Sequence, residues 1–214
     1  MVNKQFEAEK YDGVFNPIVF SEVSPDSKIL DVGCWKGGLG KALIKKKSCV
    51  VDGVDLNPEA LEVASQRGYR EVYDFDLNQG NLDKLPLEET YDYIVFADVL
   101  EHLINPAEVL EAFAPFLSKE GRIIISIPNI AFIKQRWDLL WGKFEYNPSG
   151  GIMDEKHLRF YTYSSFKDLV NNAGFRVKKS YGYSLVKPRF KFLKPLSKLF
   201  PSLFALQFIF VLES

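Results

Sequence analysis

The sequence predicts an α/β fold: a mostly parallel sheet of seven strands, with helices on both faces and an antiparallel hairpin at the C-terminal end. Strand-like and helix-like segments alternate along the 214 residues, which is typical of βαβ units. Residues 93–97 form a continuous apolar run, as expected of a parallel strand buried on both faces. A Gly-rich stretch, residues 33–40, follows the first strand-like segment directly.

Each element has its own local signal. Strands are expected at 28–32, 49–55, 71–75, 91–97, 122–127, 175–183 and 205–213. Helices are expected at 39–46, 59–67, 106–117 and 164–173. The helix over 59–67 is marked at both ends, because Asn57 suits the N-cap, Pro58 the first turn and Gly68 the C-terminal stop. Ser164 is the expected N-cap of the last helix.

The amino-acid composition limits which classes of protein this chain can belong to. The chain is 47% hydrophobic and 26% charged, with 27 basic and 28 acidic residues, which is typical of a globular chain and argues against a dedicated nucleic-acid binder. Cys34 and Cys49 are too few for a disulfide framework, and no Cys/His spacing predicts a metal site. The first residues lack the apolar core of a signal peptide, so we expect a cytoplasmic protein. Without repeats or linkers, residues 1–214 are expected to form one domain.

The Gly-rich loop predicts a nucleoside site without phosphates. In a dinucleotide-binding G-x-G-x-x-G loop that starts at Gly33, the second glycine would fall on Trp35, at the position that lets a pyrophosphate approach. No Gly-Lys-Ser/Thr follows, so a P-loop is excluded as well.

Acidic residues follow three successive strands. Asp55 ends the second strand, 22 residues after Gly33, where a carboxylate can accept both ribose hydroxyls of an adenosine. Asp76 follows the third strand and Asp98 the fourth. Ligands of such sheets bind at the carboxyl ends of the strands, so these acids favour a ligand with positive charge.

These motifs together resemble those of class I S-adenosylmethionine-dependent methyltransferases, in the small-molecule branch that includes ubiquinone-biosynthesis-type O-methyltransferases. The resemblance rests on Asp31-x-Gly33-x-x-x-Gly37, Asp55, Asp76-Leu77 and the Ala97-Asp98-Val99-Leu100-Glu101-His102-Leu103 stretch. It implies a Rossmann-like sheet, S-adenosyl-L-methionine as the cofactor and a small-molecule acceptor, with oxygen as the expected methylated atom.

Roles for individual residues follow from the resemblance. Asp31, Gly33 and Gly37 would hold the methionyl end of the cofactor, with Asp98 beside it. Asp55 would bind the ribose and Asp76 with Leu77 the adenine edge. The predicted cofactor-binding set is Asp31, Gly33, Cys34, Trp35, Gly37, Asp55, Leu56, Asp76, Leu77 and Asp98. Cys34 is expected to pack rather than to act as a nucleophile.

A hydroxyl acceptor must lose a proton, so a general base is expected near the site. The chain has two histidines, His102 and His157, and both are candidates for this base. A structural hydrogen bond is the alternative role of either one.

The connection over residues 129–162 is the expected acceptor lid. Trp137, Trp141, Phe144 and Tyr146 would line an apolar acceptor pocket, with Gly150-Gly151 as a hinge. The alternative is an amphipathic helix packed on the core, because Ile133, Trp137 and Leu140 or Trp141 have helical spacing.

Residues 187–204 combine five basic residues with large apolar ones and contain no acid. Such a segment can contact an anionic membrane or a lipid-linked substrate. The alternative is an insertion whose apolar residues pack on the domain. The oligomeric state is not predicted.

Two other functions compete with a methyltransferase. A non-catalytic module that binds the same cofactor, as a sensor or a partner subunit, is the main alternative, because Trp35 can narrow the methyl end of the pocket. An NAD-dependent oxidoreductase is disfavoured by Trp35 and by the acids. Nucleic-acid methylation is disfavoured because no Asn-Pro-Pro-Tyr-type motif follows the fourth strand.

Overall fold

The computed structural model describes residues 15–84, 87, 89–184 and 200–213. Within them lies one mixed, seven-stranded sheet. The strands are β1 (Lys28–Val32), β2 (Val50–Asp55), β3 (Val72–Asp74), β4 (Tyr91–Ala97), β5 (Leu117–Pro128), β6 (Arg176–Tyr183) and β7 (Gln207–Glu213). The helices are α1 (Pro17–Glu22), α2 (Gly38–Lys47), α3 (Pro58–Gln66), α4 (Pro106–Phe113), α5 (Ile133–Leu140), α6 (Tyr163–Asn172) and α7 (Pro201–Phe204).

The strand order is β3-β2-β1-β4-β5-β7-β6. The first five strands in that order are parallel, whereas β7 runs antiparallel to both of its neighbours. After β1, the chain adds β2 and β3 on one side of that strand. It then returns to add β4 and the remaining strands on the other side. The switch point therefore lies between the carboxyl ends of β1 and β4, where ligands of such sheets bind.

Two buried clusters cover the two faces of the sheet. One joins Leu30 and Phe96 to Leu110 of α4 and Phe166 of α6. The other joins residues of β1 and β2 to α1, α2 and α3, as in Ile29, Val51, Val19, Leu43 and Leu61. Helices on both faces, the mostly parallel sheet and the C-terminal antiparallel hairpin confirm the predicted fold class.

Several element boundaries differ from the prediction. The helix expected at 106–117 ends at Phe113, and one 3-10 turn (Ala114–Phe116) leads into a longer β5. Ser164 is not the N-cap of α6. Thr162 is, because its hydroxyl accepts from the amide of Ser165 and forms a capping box with it. Helices α1 and α7 were not among the predicted elements, whereas α5 is the helix that the spacing of Ile133, Trp137 and Leu140 offered as an alternative.

Asn57 and Pro58 begin α3 as predicted, and the Asn57 side chain accepts from the amide of Ala60. In the part of the chain that the structure describes, no helix combines the length and the apolar character needed to cross a bilayer. Most of the basic-apolar segment, residues 187–199, lies outside the described residues. Of its end, Phe200 is exposed and precedes α7.

Candidate active site

The Gly-rich loop after β1 turns sharply through left-handed backbone. Gly33 and Gly37 have φ of 69° and 71°, and Trp35 between them has φ of 49°. The amides of Gly33 and Cys34 both donate to the carbonyl of Val54 on β2, which fixes the loop against the neighbouring strand. The left-handed region is strained for any side chain, so the backbone at Trp35 is held by its surroundings.

A buried pair lies directly beneath this loop. The Tyr69 hydroxyl donates to Asp31 Oδ2 over 2.6 Å and accepts from the amide of Gly40 over 3.2 Å. Burial raises the pKa of Asp31 to about 7, although the tyrosine bond opposes that rise. A Cβ at Gly37 or Gly40 would come within 2.6 or 2.2 Å of Tyr69. These two glycines therefore make room for the tyrosine that holds Asp31, a role that the motif alone does not reveal.

Cys34 packs in this loop instead of presenting a reactive thiol. It is buried, and its sulfur donates weakly to the carbonyl of Trp35 at 3.6 Å. Burial, together with the charges of Asp31 and Asp55, raises the pKa of the Cys34 thiol far above its usual value. A thiol that stays protonated is a poor nucleophile, as the sequence analysis expected.

Asp55 ends β2 and faces the loop. Its Oδ2 accepts from the amide of Trp35 over 2.7 Å, and its Oδ1 accepts from the amide of Asn57 over 3.0 Å. Burial raises the pKa of this carboxyl, and the backbone donors oppose that rise. Trp35, whose amide bonds to this carboxyl, and Leu56, the next residue in the chain, are 38% and 63% exposed, so both present apolar surface to solvent.

The loop after β3 is tied to the loop after β4. Asp76 Oδ1 accepts from the amide of Asn78, and Leu77 packs on the core. The Asn78 side chain donates to the carbonyl of His102 over 3.1 Å and accepts from the amide of Ile104 over 2.8 Å. Asn78 was not among the predicted site residues, although it joins the two loops that carry Asp76 and His102.

Asp98 lies just after β4 with φ of 57°. Asp98 is exposed overall, and its carboxylate contacts donors from two other strands. Ser126 of β5 donates its hydroxyl over 3.0 Å, and the Gln207 side-chain amide of β7 lies 2.9 Å from both carboxylate oxygens. Desolvation of the carboxyl by the neighbouring groups raises the pKa of Asp98, and these donors oppose the rise. Gln207, too, was missed by sequence reasoning.

The structure brings the two predicted histidines together. Their rings meet edge to face with centroids 4.8 Å apart. His102 Nδ1 lies 3.1 Å from the carbonyl of Lys156, and His157 Nδ1 lies 3.1 Å from the carbonyl of Ile152. A carbonyl only accepts, so both Nδ1 atoms carry hydrogen and both Nε2 atoms are left as acceptors when the rings are neutral.

Glu101 lies behind this pair and is fully buried. Neither of its carboxylate oxygens has a hydrogen-bond partner among the described residues, and Oε1 lies 3.9 Å from His157 Nε2. Burial and then the charge of Asp98 raise the pKa of Glu101 well above its usual value. The ligand atoms of Glu101, His102 and His157 lie within 4.8 Å of one another, a spacing that one cation can bridge. Clusters of this kind also occur without an ion, so we assign no metal to it.

The predicted lid holds α5 and encloses a cavity of about 960 Å³. Phe144 and Tyr146 line it, together with Leu206 at the start of β7. Trp137 and Trp141 do not line it: they pack edge to face on each other, with centroids 6.0 Å apart, and are 60% and 66% exposed. The alternative of an α5 packed on the core is wrong as well, because none of its residues is buried.

Comparison with known proteins identifies the class. Residues 2–180 match the model of a family described as "Methyltransferase domain". The chain belongs to this methyltransferase family. The predictions of a class I methyltransferase and of S-adenosyl-L-methionine as its cofactor are thereby confirmed.

Among characterised relatives, the chain is 31% identical over 123 residues to the ubiquinone biosynthesis O-methyltransferase of Vibrio campbellii, covering 56% of this chain and 48% of that protein. The enzyme of the same name from Haemophilus ducreyi is 27% identical over 128 residues and covers 54% of each chain. The chain thus matches about half the length of these relatives.

Solved structures share the fold over almost the whole chain. A methyltransferase from Haloferax volcanii, in complex with the Trm112 methyltransferase activator, has a TM-score of 0.66 at 14% identity and covers 99% of this chain and 98% of its own. A SAM dependent methyltransferase from Archaeoglobus fulgidus has a TM-score of 0.65 at 18% identity and covers 99% and 100%. At such identities, the likeness concerns the fold alone.

The side chains at the strand ends have the chemistry that this cofactor needs. Asp55 and Asp98 are carboxylates at the ends of β2 and β4, on either side of the β1 loop. Acceptors there suit ribose hydroxyls and an ammonium group, and the apolar surfaces of Trp35 and Leu56 suit a base or a sulfonium methylene chain. The residues present therefore fit S-adenosylmethionine.

Proposed function

We propose that this chain, as one domain over residues 1–214, transfers a methyl group from S-adenosylmethionine to the hydroxyl oxygen of a small-molecule acceptor. S-adenosylmethionine supplies an electrophilic methyl group on a sulfonium. The observation that carries the proposal is the pairing of His102, which lies in the same loop after β4 as Asp98, with His157 of the connection over residues 129–162. A transfer to oxygen needs a proton acceptor at this end of the sheet.

Asp55, Asp76, Leu77 and Asp98 keep the roles expected from the sequence, whereas the buried Asp31 does not keep its expected contact with the methionyl end. Asp55 accepts from the ribose, Asp76 and Leu77 face the adenine edge, and Asp98 takes the ammonium of the methionyl group. The β1 loop, with its two left-handed glycines and Trp35, lies between Asp55 and Asp98. Asp31 supports this loop from beneath through Tyr69.

His102 is the better base of the two. It is half-buried, its Nδ1 hydrogen is held by the Lys156 carbonyl, and its Nε2 is the acceptor of the neutral ring. His157 is buried, and burial followed by the charge of His102 lowers its pKa. We therefore assign the proton transfer to His102 and the support of its ring to His157.

The lid over residues 129–162 binds the acceptor. Its cavity has apolar walls from Phe144, Tyr146 and Leu206, and the last of these precedes Gln207, which contacts Asp98. A residue that lines the cavity, Leu206, is thus the chain neighbour of a residue that contacts Asp98. An acceptor with an apolar or ring-bearing body is the chemistry that such walls favour.

The basic-apolar segment over 187–204 brings the domain to anionic lipid or to a lipid-linked acceptor. Its basic residues can be neutralised without deleting α7, whose Ser202 carbonyl accepts from Asn129. We expect Lys191→Gln/Lys194→Gln/Lys198→Gln to reduce flotation with vesicles that contain anionic lipid. The matched control neutralises three lysines of α2, Lys41, Lys45 and Lys46. Equal flotation of the two variants would refute this role.

The decisive experiment measures binding and turnover separately. Calorimetry with S-adenosylmethionine and S-adenosylhomocysteine tests the site, and transfer of labelled methyl to a panel of phenols, catechols and hydroxy acids tests the reaction. We expect the wild type to bind S-adenosylmethionine and S-adenosylhomocysteine and to transfer labelled methyl to an acceptor oxygen. We expect His102→Ala to abolish this transfer. Binding without transfer to any acceptor would support the non-catalytic alternative, and absence of binding would overturn the proposal.

A further inference from the structure

Gln207 connects Asp98 to the N-terminal helix. Its side-chain amide is 2.9 Å from both oxygens of the Asp98 carboxylate, and its own oxygen accepts from the side-chain amide of Asn16 over 3.1 Å. A carboxylate only accepts, so the Gln207 NH₂ group must face Asp98 and its oxygen must face Asn16. The direction of both bonds is therefore determined by chemistry.

Asn16 is in turn held by the helix that it caps. Its Oδ1 accepts from the amide of Ile18 over 2.9 Å at the start of α1. The other end of α1 is held by β6, where the Tyr181 hydroxyl donates to Glu22 over 2.6 Å. One end of α1 is thus linked through Asn16 and Gln207 to Asp98, and the other end is anchored away from the site.

Asp98 needs external support because its position is unfavourable in two ways. Its backbone has the left-handed φ of 57°, which disfavours residues other than glycine. Its carboxylate is partly desolvated by the groups around it, which disfavours its charge. Ser126 contributes one donor to the carboxylate, and Gln207 contributes an amide that touches both oxygens.

We propose that Gln207 is a positioning residue that holds the Asp98 carboxylate in the orientation that binds the cationic end of the cofactor, and that Asn16 holds Gln207 in place. This inference rests on the role of Asp98 in the proposed function. Gln207 itself acts through Asp98. It follows that α1, although outside the strand-end loops, takes part in cofactor affinity.

A double-mutant cycle tests the coupling. Calorimetry with S-adenosylhomocysteine compares the wild type with Gln207→Leu, Asp98→Asn and the double variant. We expect Gln207→Leu to raise Kd about tenfold, the effect of losing a hydrogen bond to a charged group. In the Asp98→Asn background the same change should alter Kd less than about twofold, because the group on which Gln207 acts has lost its charge.

The pH dependence of Kd separates positioning from loss of fold. The Gln207 and Ser126 donors favour the ionised form of Asp98, as does the charge of His102, whereas desolvation of the carboxyl opposes it. The neighbouring carboxyl of Glu101 also faces Asp98. Affinity for S-adenosylhomocysteine should increase with pH as Asp98 ionises, and removing the Gln207 donor should move this increase to higher pH. A merely structural defect would lower affinity equally at every pH.

Asn16→Ala and Tyr181→Phe form a matched pair at the two ends of α1. We expect Asn16→Ala to raise Kd about threefold and Tyr181→Phe to leave it unchanged, with thermal melting as the measure of how each affects the fold. If Gln207→Leu does not fold, Asn16→Ala replaces it in the cycle with Asp98→Asn.

The outcomes separate the two proposals. If the wild type does not bind S-adenosylhomocysteine, the proposed function fails. If the wild type binds and Asp98→Asn binds equally well, the role of Asp98 fails and this inference fails with it. Two outcomes in which Asp98→Asn weakens binding overturn this inference alone. In one, Gln207→Leu does not weaken binding. In the other, Gln207→Leu weakens binding as much in the Asp98→Asn background as in the wild type.

Discussion

The hydroxyl of Tyr69 donates to the buried carboxylate of Asp31 over 2.6 Å, across 38 residues of sequence. Asp31 begins the motif by which this class is recognised, and its partner comes from the turn after α3. The bond joins the β1 loop to the adjacent βα unit. The geometry of the β1 loop therefore depends on a residue outside the motif.

Tyr69→Phe should destabilise the fold, and more so at high pH. The folded-state pKa of Asp31 is about 7, raised by burial above its usual value of 3.8, so its ionisation opposes folding as pH rises between these values. At pH 5 the variant loses a bond to a neutral acid, worth about 1 kcal/mol, and at pH 8 one to a carboxylate, worth about 1.5–3 kcal/mol.

Urea denaturation at pH 5 and pH 8 measures this difference. Tyr163→Phe is the control, since its hydroxyl bonds with the exposed Ser180 hydroxyl, and we expect a small effect that does not vary with pH. A Tyr69→Phe penalty that is equal at both pH values would contradict the explanation.

Glu101→Gln should stabilise the protein relative to the wild type as pH rises above about 4.5. The folded-state pKa of Glu101 is raised by burial, so the unfolded chain gives up this proton at a lower pH than the folded protein does. The free energy of unfolding therefore falls as pH rises above the unfolded pKa of Glu101. It falls by up to about 1.4 kcal/mol for each pH unit in which Glu101 is protonated in the folded protein and ionised in the unfolded chain. Glutamine carries no such proton.

Thermal melting of the wild type and Glu101→Gln from pH 5 to pH 8 checks this sign. Exposed Glu111→Gln on α4 serves as the matched control and should follow the wild type. A difference between Glu101→Gln and the wild type that stays constant with pH would show that Glu101 is ionised in the folded protein.

Asp55→Ala should weaken S-adenosylhomocysteine binding by about 1.5–3 kcal/mol, the value of hydrogen bonds to a charged acceptor. Asp74→Ala is the matched control, because it removes the same charge from an exposed residue that pairs with Asp55 in the β2–β3 register. Calorimetry should show little change for Asp74→Ala. Equal losses in the two variants would mean that general negative charge, and not a contact with Asp55, governs affinity.

Phe144→Ala should raise the acceptor KM about tenfold and leave the Kd of S-adenosylhomocysteine unchanged, since it removes one apolar wall of the cavity. Trp141→Ala is the control: it removes a larger ring from the same segment but outside the cavity. Steady-state kinetics with the acceptor found by methyl labelling distinguishes them. A larger effect of Trp141→Ala would place the acceptor on the exposed face of α5.

The strand ends were predictable because local rules determine them. Asp55 and Asp98 each follow an apolar strand directly, and parallel strands present their carboxyl ends at one edge of the sheet. The cap of α3 was predictable for the same reason, since Asn57 bonds to a backbone amide three residues away. The cap of α6 was misplaced by two residues because Thr162, Ser164 and Ser165 all have hydroxyls of the kind that cap a helix.

Sequence by itself determined the α/β class, the cofactor and the strand ends where that cofactor is expected, because these depend on local pattern and on a general property of parallel sheets. Only the tertiary structure decided what supports them. Gln207 reaches Asp98 because β7 inserts between β5 and β6. Phe144 lines a cavity that Trp141 does not, although both are aromatic residues of one segment. Such contacts depend on chain direction and packing in three dimensions, and residue type and spacing do not encode them locally.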